Sequence, residues 1–343
     1  MIPTVARTAL RTLITGLIVT AVVRADEQPE SVSIDPSRPE VQTFIERMRT
    51  AHGFSSEELT QLLGQAKTQQ SILDAMSKPA ERTLLWYEYR ARFLTEQRIA
   101  EGAQFWIEHR ELLDETAVRY GVAPQYLIAI LGVETSYGRI TGRYRVLDAL
   151  STLAFDFPPR SSYFTSELEQ FLVLTHEEPV DPLTTLGSYA GAMGAPQFMP
   201  GSLRRYAVDA DADGKRDLWT DWADVLASVA NYFRAHGWQP NGVVVTDVDI
   251  DQQHASNLDS RPTTLTETVA SLRTKGVVFK ESLPDDAPAM LIAADEPNEI
   301  RFRVGLNNFY IITRYNRSPL YAMAVNDLAN LILERVFSDE PQG

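Results

Sequence analysis

The chain has 343 residues, 44% of them hydrophobic and 23% charged, which allows two or three modest domains with real cores and excludes a disordered or fibrous chain. Its formal charge of −14 argues against nucleic acid as a ligand. Cysteine is absent, so there is neither a disulfide staple nor a thiol for lipidation.

Arg7 and Arg11 precede an apolar run from Leu13 to Val23, and Val23 and Ala25 suit signal-peptidase cleavage after Ala25. The run is about half the length of a membrane-spanning helix. Residues 1–25 are therefore expected to be a cleaved signal peptide, leaving an exported, soluble chain with no stable membrane anchor. Those residues carry Arg7, Arg11 and Arg24 and no acid, so cleavage moves the charge from −14 to −17. Residues 26–39 are polar, contain Pro29, Pro36 and Pro39, and read as a disordered tether.

Residues 40–120 have a helical pattern and are taken as a helical domain. Phe44 and Met48 share a face, Ser55-x-x-Glu58 forms a capping box ahead of Leu59, Leu62 and Leu63, and Phe93, Ile99, Phe105 and Trp106 mark a long amphipathic helix over 90–113. Residues 121–240 stay mostly helical. Their first helix runs from Ala123-Pro124, with proline in its first turn, to Tyr137-Gly138, where glycine supplies a left-handed cap. Glu134 falls on the apolar stripe of Leu127, Ile128, Ile130 and Leu131. Desolvation and the negative end of the helix dipole both disfavour an ionised carboxylate there, which suits a general acid. The competing reading is a buried ion pair with Arg139, Arg143 or Arg145.

Residues 187–200 concentrate small side chains and end in a Pro-flanked turn, so that a ligand approaches the backbone closely. Ser188 and Gln197 are the groups there able to orient a polar substrate such as a sugar N-acetyl group; a tight helix-packing turn is the alternative. Serine stands second in Gly187-Ser188-Tyr189-Ala190-Gly191, which is not a nucleophile elbow. Asp209, Asp211, Asp213 and Asp217 occupy positions one, three, five and nine of an EF-hand-like loop, with Gly214 at six and the Lys215 carbonyl at seven. Thr220 replaces the bidentate glutamate at position twelve, so Asp221, Asp224 or a carbonyl would complete the shell. A structural calcium (or sodium) ion is expected in this loop. The five histidines lack zinc spacing and no nucleotide-binding loop appears, so no cofactor is expected for the chemistry.

After Trp238-Gln239-Pro240 the pattern alternates with period two over 242–250, and further strands are expected at 277–279, 290–293, 300–304 and 310–313. Residues 241–320 thus form a small β-containing region, and 321–343 a final helix over 321–336 with a tail. The fold is expected to be mainly α (α+β). Tyr89, Tyr163, Tyr232, Tyr310, Tyr315 and Tyr321, with Asn316, would suit stacking on sugar faces if they converge on Glu134.

Four stretches carry a resemblance: Gly132-Val133-Glu134-Thr135-Ser136-Tyr137-Gly138, residues 187–200, Val229-Ala230-Asn231-Tyr232-Phe233, and Asn308-Phe309-Tyr310-Ile311-Ile312-Thr313-Arg314-Tyr315-Asn316. Together they resemble the lytic murein transglycosylase B family, in order from about residue 41 to 332. The resemblance implies a lysozyme-like catalytic core over 121–240, with an added helical domain and a small mixed domain. It implies Glu134 as the single acid and base, Ser188 as the residue holding the muramoyl N-acetyl group, and Gln197, Tyr232, Tyr315 and Asn316 as cleft residues. Tyr89, Tyr163 and Tyr321 match aromatic positions of the glycan groove. Arg160 follows Pro158-Pro159 where the family tends to have an arginine pair, a departure at the place where the stem peptide or lactyl group would be recognised. Peptidoglycan strands are the implied partner, with cell-wall synthesis proteins as further candidates, and the absence of the lipidated cysteine of many relatives points to a soluble periplasmic form.

The implied reaction protonates the glycosidic oxygen between N-acetylmuramic acid and N-acetylglucosamine and closes a 1,6-anhydro ring on the substrate's own C6 hydroxyl. Two alternatives remain at this level. One is a hydrolytic muramidase with Asp148 or Asp156 as the second carboxylate that ordinary glycosidases need. The other is a non-catalytic glycan-binding scaffold.

Overall fold

The computed structural model of the protein describes residues 32–77, 84–256 and 258–338. The expected signal peptide and the first residues of the expected tether lie outside them. The rest of that tether is ordered, contrary to the reading of its composition. Val32–Ser33 (β1) pairs antiparallel with Lys67–Thr68 (β2), Ile34 is 2% exposed, and Arg38 donates to Asp156 at 2.8 Å. One buried isoleucine and one ion pair anchor a segment whose average polarity reads as disorder.

Helices α1 (Pro39–His52), α2 (Ser56–Gly64) and α3 (Gln70–Ser77) follow. Ser55 caps α2 by accepting from the Glu58 amide at 3.3 Å. The single helix expected over 90–113 is instead three: α4 (Trp86–Phe93), α5 (Glu96–Glu108) and α6 (Arg110–Tyr120). The break after α4 comes from Thr95, whose hydroxyl accepts from the Arg98 amide at 3.2 Å and so starts a new helix.

The next five helices are α7 (Pro124–Thr135), α8 (Val146–Asp156), α9 (Ser161–Glu177), α10 (Pro200–Tyr206) and α11 (Trp222–Ala235). Between α7 and α10, Tyr144–Arg145 (β3) pairs with Leu186–Gly187 (β4). Helix α7 begins at Pro124 as the proline predicts, but it has no single apolar stripe. Every residue from Leu127 to Gly132 is buried, as in the central helix of a large core.

Past α11 lie β5 (Val245–Asp249), α12 (Gln252–Ala255), β6 (Glu267–Thr268), α13 (Val269–Thr274), β7 (Val278–Phe279), β8 (Pro288–Asp295) and β9 (Ile300–Gly305). The strands form an antiparallel sheet in the order β6-β8-β9-β5-β7. Strand β8 is buried on both faces. Met290, Ile292 and Ala294 join the main core, while Ala289 and Leu291 join a second cluster with Val248, Leu272 and Val304, which is the period-two alternation of a sandwiched strand.

The strand expected at 310–313 is instead part of helix α14 (Asn307–Tyr315). Its β-branched residues carry strand propensity, but tertiary anchoring overrides it. At the start of the helix the Asn308 side chain accepts from the Gln239 amide at 2.8 Å and donates to the carbonyls of Gln239 and Gly242, while Phe309, Ile312 and Thr313 bury at helical spacing. The final helix, α15 (Pro319–Ser338), packs along α7 and against α5, α4 and α14. This contact brings the C-terminal residues of the chain against the end of α7.

Candidate active site

Glu134 is half-buried in the last turn of α7. Tyr321, in the first turn of α15 and 2% exposed, donates its hydroxyl to Glu134 Oε1 at 2.6 Å. Burial first, then the nearby Glu134 carboxylate, pushes the phenols of Tyr321 and Tyr315 well above their usual range, and Tyr89 adds to the effect at Tyr321. Tyr315 and Tyr321 therefore neighbour the acid, and Tyr89 neighbours Tyr321, although they are far apart in the chain. Two of the three candidate arginines are engaged elsewhere, Arg139 with Glu101 and Arg145 with Asp148, each at 2.6 Å, and the Arg143 guanidinium lies 5.6 Å over the Tyr144 ring.

Burial limits the ring faces that are open to a sugar. Tyr89 is 1% exposed and Tyr232 7%, so neither, like Tyr321, offers a face for a sugar to stack on. The Tyr232 hydroxyl donates to the Arg314 carbonyl and the Tyr315 hydroxyl to the Pro196 carbonyl, each at 2.7 Å. Tyr232 and Tyr315 also meet edge to face at 4.9 Å between ring centres. They build a rigid wall beside the acid. Tyr163 is the most open of the six, at 38% exposure, with the exposed Arg160 guanidinium 4.6 Å over its ring, while Tyr310 and Tyr315 are half-buried. Asn316 is partly exposed directly after Tyr315.

The glycine-rich stretch is a folded β-type loop that also packs on α8, since an added Cβ at Gly187 would meet Val146 and one at Gly191 would meet Leu150. Met193 bridges both Gly187 and Phe198, and the Ser188 amide donates to the Ala192 carbonyl at 2.8 Å. Ser188 Oγ accepts from the amides of Ala190 at 3.3 Å and Ala192 at 3.0 Å, which leaves its own proton to donate outward. Gln197, at φ 54°, spends both amide protons on the Thr141 and Gly194 carbonyls at 2.9 and 3.0 Å. Its contribution to a ligand is thus confined to the carbonyl oxygen.

The end of α7 departs from the expected glycine cap. Ser136 (φ 49°) and Tyr137 (φ 62°) enter the left-handed region ahead of Gly138 (φ 81°), a strained run next to the acid. Three residues to which the sequence reading gave no role of their own, Arg98, Thr135 and Tyr137, hold it. Arg98 of α5 donates to Ser136 Oγ at 3.3 Å, Tyr137 donates its hydroxyl to the Arg98 carbonyl at 2.6 Å, and Thr135 Oγ1 donates to the Ala195 carbonyl at 2.8 Å. The Tyr137 ring lies between Gly102 and Gly132, where an added Cβ would sit 2.5 and 2.7 Å from its hydroxyl. Two glycines inside otherwise helical patterns were the sequence signal for that close approach.

These observations meet comparison with known proteins. Residues 36–330 match the model of the Transglycosylase SLT domain. The chain belongs to that family. It is 39% identical over 305 residues to membrane-bound lytic murein transglycosylase B of Escherichia coli, covering 86% of this chain and 83% of the relative. The catenated lytic transglycosylase SltB1 of Pseudomonas aeruginosa superposes with a TM-score of 0.84 at 46% identity, covering 87% of this chain and 98% of that one. Escherichia coli Slt35, solved with bulgecin A and with calcium, gives a TM-score of 0.81 at 38% identity, covering 90% of this chain and 97% of its own. The chain is accordingly a lytic transglycosylase with a lysozyme-like fold, an enzyme that cleaves glycosidic bonds in peptidoglycan.

In this transglycosylase the acidic loop groups three of the expected ligands. Carboxylate oxygens of Asp209, Asp211 and Asp213 lie within 4.8 Å of one another. The amides of Asp213 and Gly214 turn inward onto Asp209 at 3.2 and 2.9 Å, partly offsetting the clustered charge. Three close carboxylates in a tight loop fit a hard cation. Asp217 is not in the group, because its carboxylate accepts from the amides of Trp219 at 2.7 Å and Thr220 at 3.0 Å. The Lys215 ammonium stands 3.8 Å from Asp213. Neither candidate for the twelfth position joins them: Asp221 caps α11, and Asp224 ties the Ala210 and Asp217 amides at 2.7 and 2.8 Å. Among the described residues no helix is long and apolar enough to cross a membrane.

Proposed function

We propose that the transglycosylase uses Glu134 as its single acid and base on the β-1,4 bond between N-acetylmuramic acid and N-acetylglucosamine. The Glu134 carboxyl gives its proton to the glycosidic oxygen as the bond to C1 breaks. The substrate's N-acetyl oxygen, held by the Ser188 hydroxyl, stabilises the oxocarbenium-like centre. The Glu134 carboxylate then takes the proton of the C6 hydroxyl as that oxygen attacks C1, giving a 1,6-anhydromuramoyl end without water. Tyr321 donates to the carboxylate throughout, Tyr89, Tyr232 and Tyr315 keep the wall fixed, and Gln197, Asn316, Tyr163 and Arg160 meet the glycan along the open side.

The observation that carries this reading is the 2.6 Å hydrogen bond from Tyr321 to half-buried Glu134, whose neighbour Thr135 donates to Ala195 in the loop that carries Ser188. Against the hydrolytic alternative, both candidate second carboxylates are held by other partners. Asp148 is 4% exposed and occupied by Arg145 and the Lys67 amide, and Asp156 by Arg38 and Thr68. The acidic loop, through Asp209, Asp211 and Asp213 with the Lys215 carbonyl, holds a structural calcium or sodium ion that neutralises the cluster. The substrate sets the location, the periplasm, where the chain acts as a soluble enzyme and meets cell-wall synthesis proteins.

Mass spectrometry of released muropeptides tests the chemistry: anhydro ends are expected, and products heavier by one water would end the cyclisation. Glu134→Gln should abolish release, whereas a fully active variant, or an inactive parent, would favour the scaffold.

A further inference from the structure

A second recess, of about 390 Å³, lies beside the loop that carries Ser188. Its volume falls within the range of roughly 300–1,000 Å³ of small-ligand sites. Trp219 lines it together with Thr141, Val180, Thr185 and Leu186, and no lining side chain is charged. The indole is only partly buried, Leu186 is 46% exposed, and Ile140 next to Thr141 is 68% exposed. An aromatic face, aliphatic walls and two hydroxyls match the C–H faces and hydroxyl rim of a pyranose, and they give nothing to hold an ion.

The recess adjoins the loop that carries Ser188 and Gln197. Leu186 stands two residues before Ser188, at most about 7 Å along the chain. The Thr141 carbonyl on its edge receives the Gln197 amide at 2.9 Å, and Gly142 lies so close upon Gly187 that a side chain there would collide with the Gly187 carbonyl. The Trp219 backbone is fixed by its 2.7 Å hydrogen bond to Asp217. We infer that this recess is an outer saccharide subsite, taking a further sugar of the strand whose nearer units lie against Ser188. The inference rests on the glycan-cleaving reading above.

Calorimetric titration of N-acetylglucosamine oligomers, from dimer to hexamer, into the full chain carrying Glu134→Gln reads binding without turnover. Affinity should rise with oligomer length. Adding Trp219→Ala should lower hexamer affinity about fivefold while dimer affinity stays within twofold. Leu186→Glu, at an exposed position that folding tolerates, should do the same. Hexamer binding as tight as the parent's in both variants would overturn the subsite, as would a parent whose affinity does not grow with length. A parent that binds no oligomer would count against the glycan-cleaving reading and the subsite with it. A parent that binds and grows tighter, with variants unchanged, would remove the subsite alone.

Discussion

Replacing Tyr321 by phenylalanine removes one oxygen atom and tests how the acid is held. The ring is 2% exposed and packed on every side, so phenylalanine keeps the same volume and the wall should stand. What goes is the 2.6 Å donation to Glu134 Oε1. A hydrogen bond to a charged group contributes about 1.5–3 kcal/mol. The carboxylate becomes charged as it gives up its proton, so most of that contribution is felt in the transition state and a fall in kcat of roughly 10- to 100-fold is expected. KM should change little, because Tyr321 is too buried to touch the glycan. Loss of the donor also disfavours the ionised carboxylate, so the alkaline limb of the rate profile should move to higher pH. Initial rates of muropeptide release across pH, with a thermal melt as the folding control, read all three. A variant that melts like the parent and keeps kcat within twofold would refute the role given to this contact.

Arg98→Ala should lower kcat about tenfold with KM nearly unchanged, since the strained Ser136-Tyr137 turn, costing about 1–3 kcal/mol per residue, loses its clamp; Arg98→Lys should recover part of the loss. Gly132→Ala puts a methyl group 2.7 Å from the Tyr137 hydroxyl, and overpacking of about 1–3 kcal/mol should lower the melting temperature. Chelation should also lower the melting temperature, and Asp211→Asn should abolish the effect; an unchanged melt with no bound ion would remove the metal assignment. Burial holds the phenols of Tyr137, Tyr232, Tyr315 and Tyr321 above the usual value of 10.0, so the stability they support is full below that pH and is lost as pH rises beyond it. Phenolate absorbance from these rings should therefore appear together with the loss of circular dichroism, and not before it.

The parts legible in the sequence were those set by local rules. Pro124 at a helix start, the Ser55 cap, the alternation that became β5, β8 and β9, and the spacing of Asp209, Asp211 and Asp213 each follow from contacts within a few residues. Errors arose where a distant partner outweighed the local signal. Asn308 holds the Gln239 and Gly242 backbone, and a β-branched run became α14. Arg38 meets Asp156, and a proline-rich stretch became ordered. Glu134 stood out as an acid among apolar residues, yet α7 turned out to be buried almost all round, so the stripe alone did not define the pocket.

The sequence by itself singled out the candidate groups: one carboxylate in an apolar helix, a serine and a glutamine in a glycine-rich loop, and four aspartates spaced for a cation, of which the fold brings three together. Only the tertiary structure decided what each touches. Packing α15 along α7 joins Tyr321 to Glu134 across 187 residues, and the fold buries Tyr89, Tyr232 and Tyr321. It also occupies Asp148 and Asp156 with distant partners, which no pattern of neighbours encodes. Local spacing fixes residue type and helix face, but the partner of a buried polar group depends on which surfaces the hydrophobic core brings together.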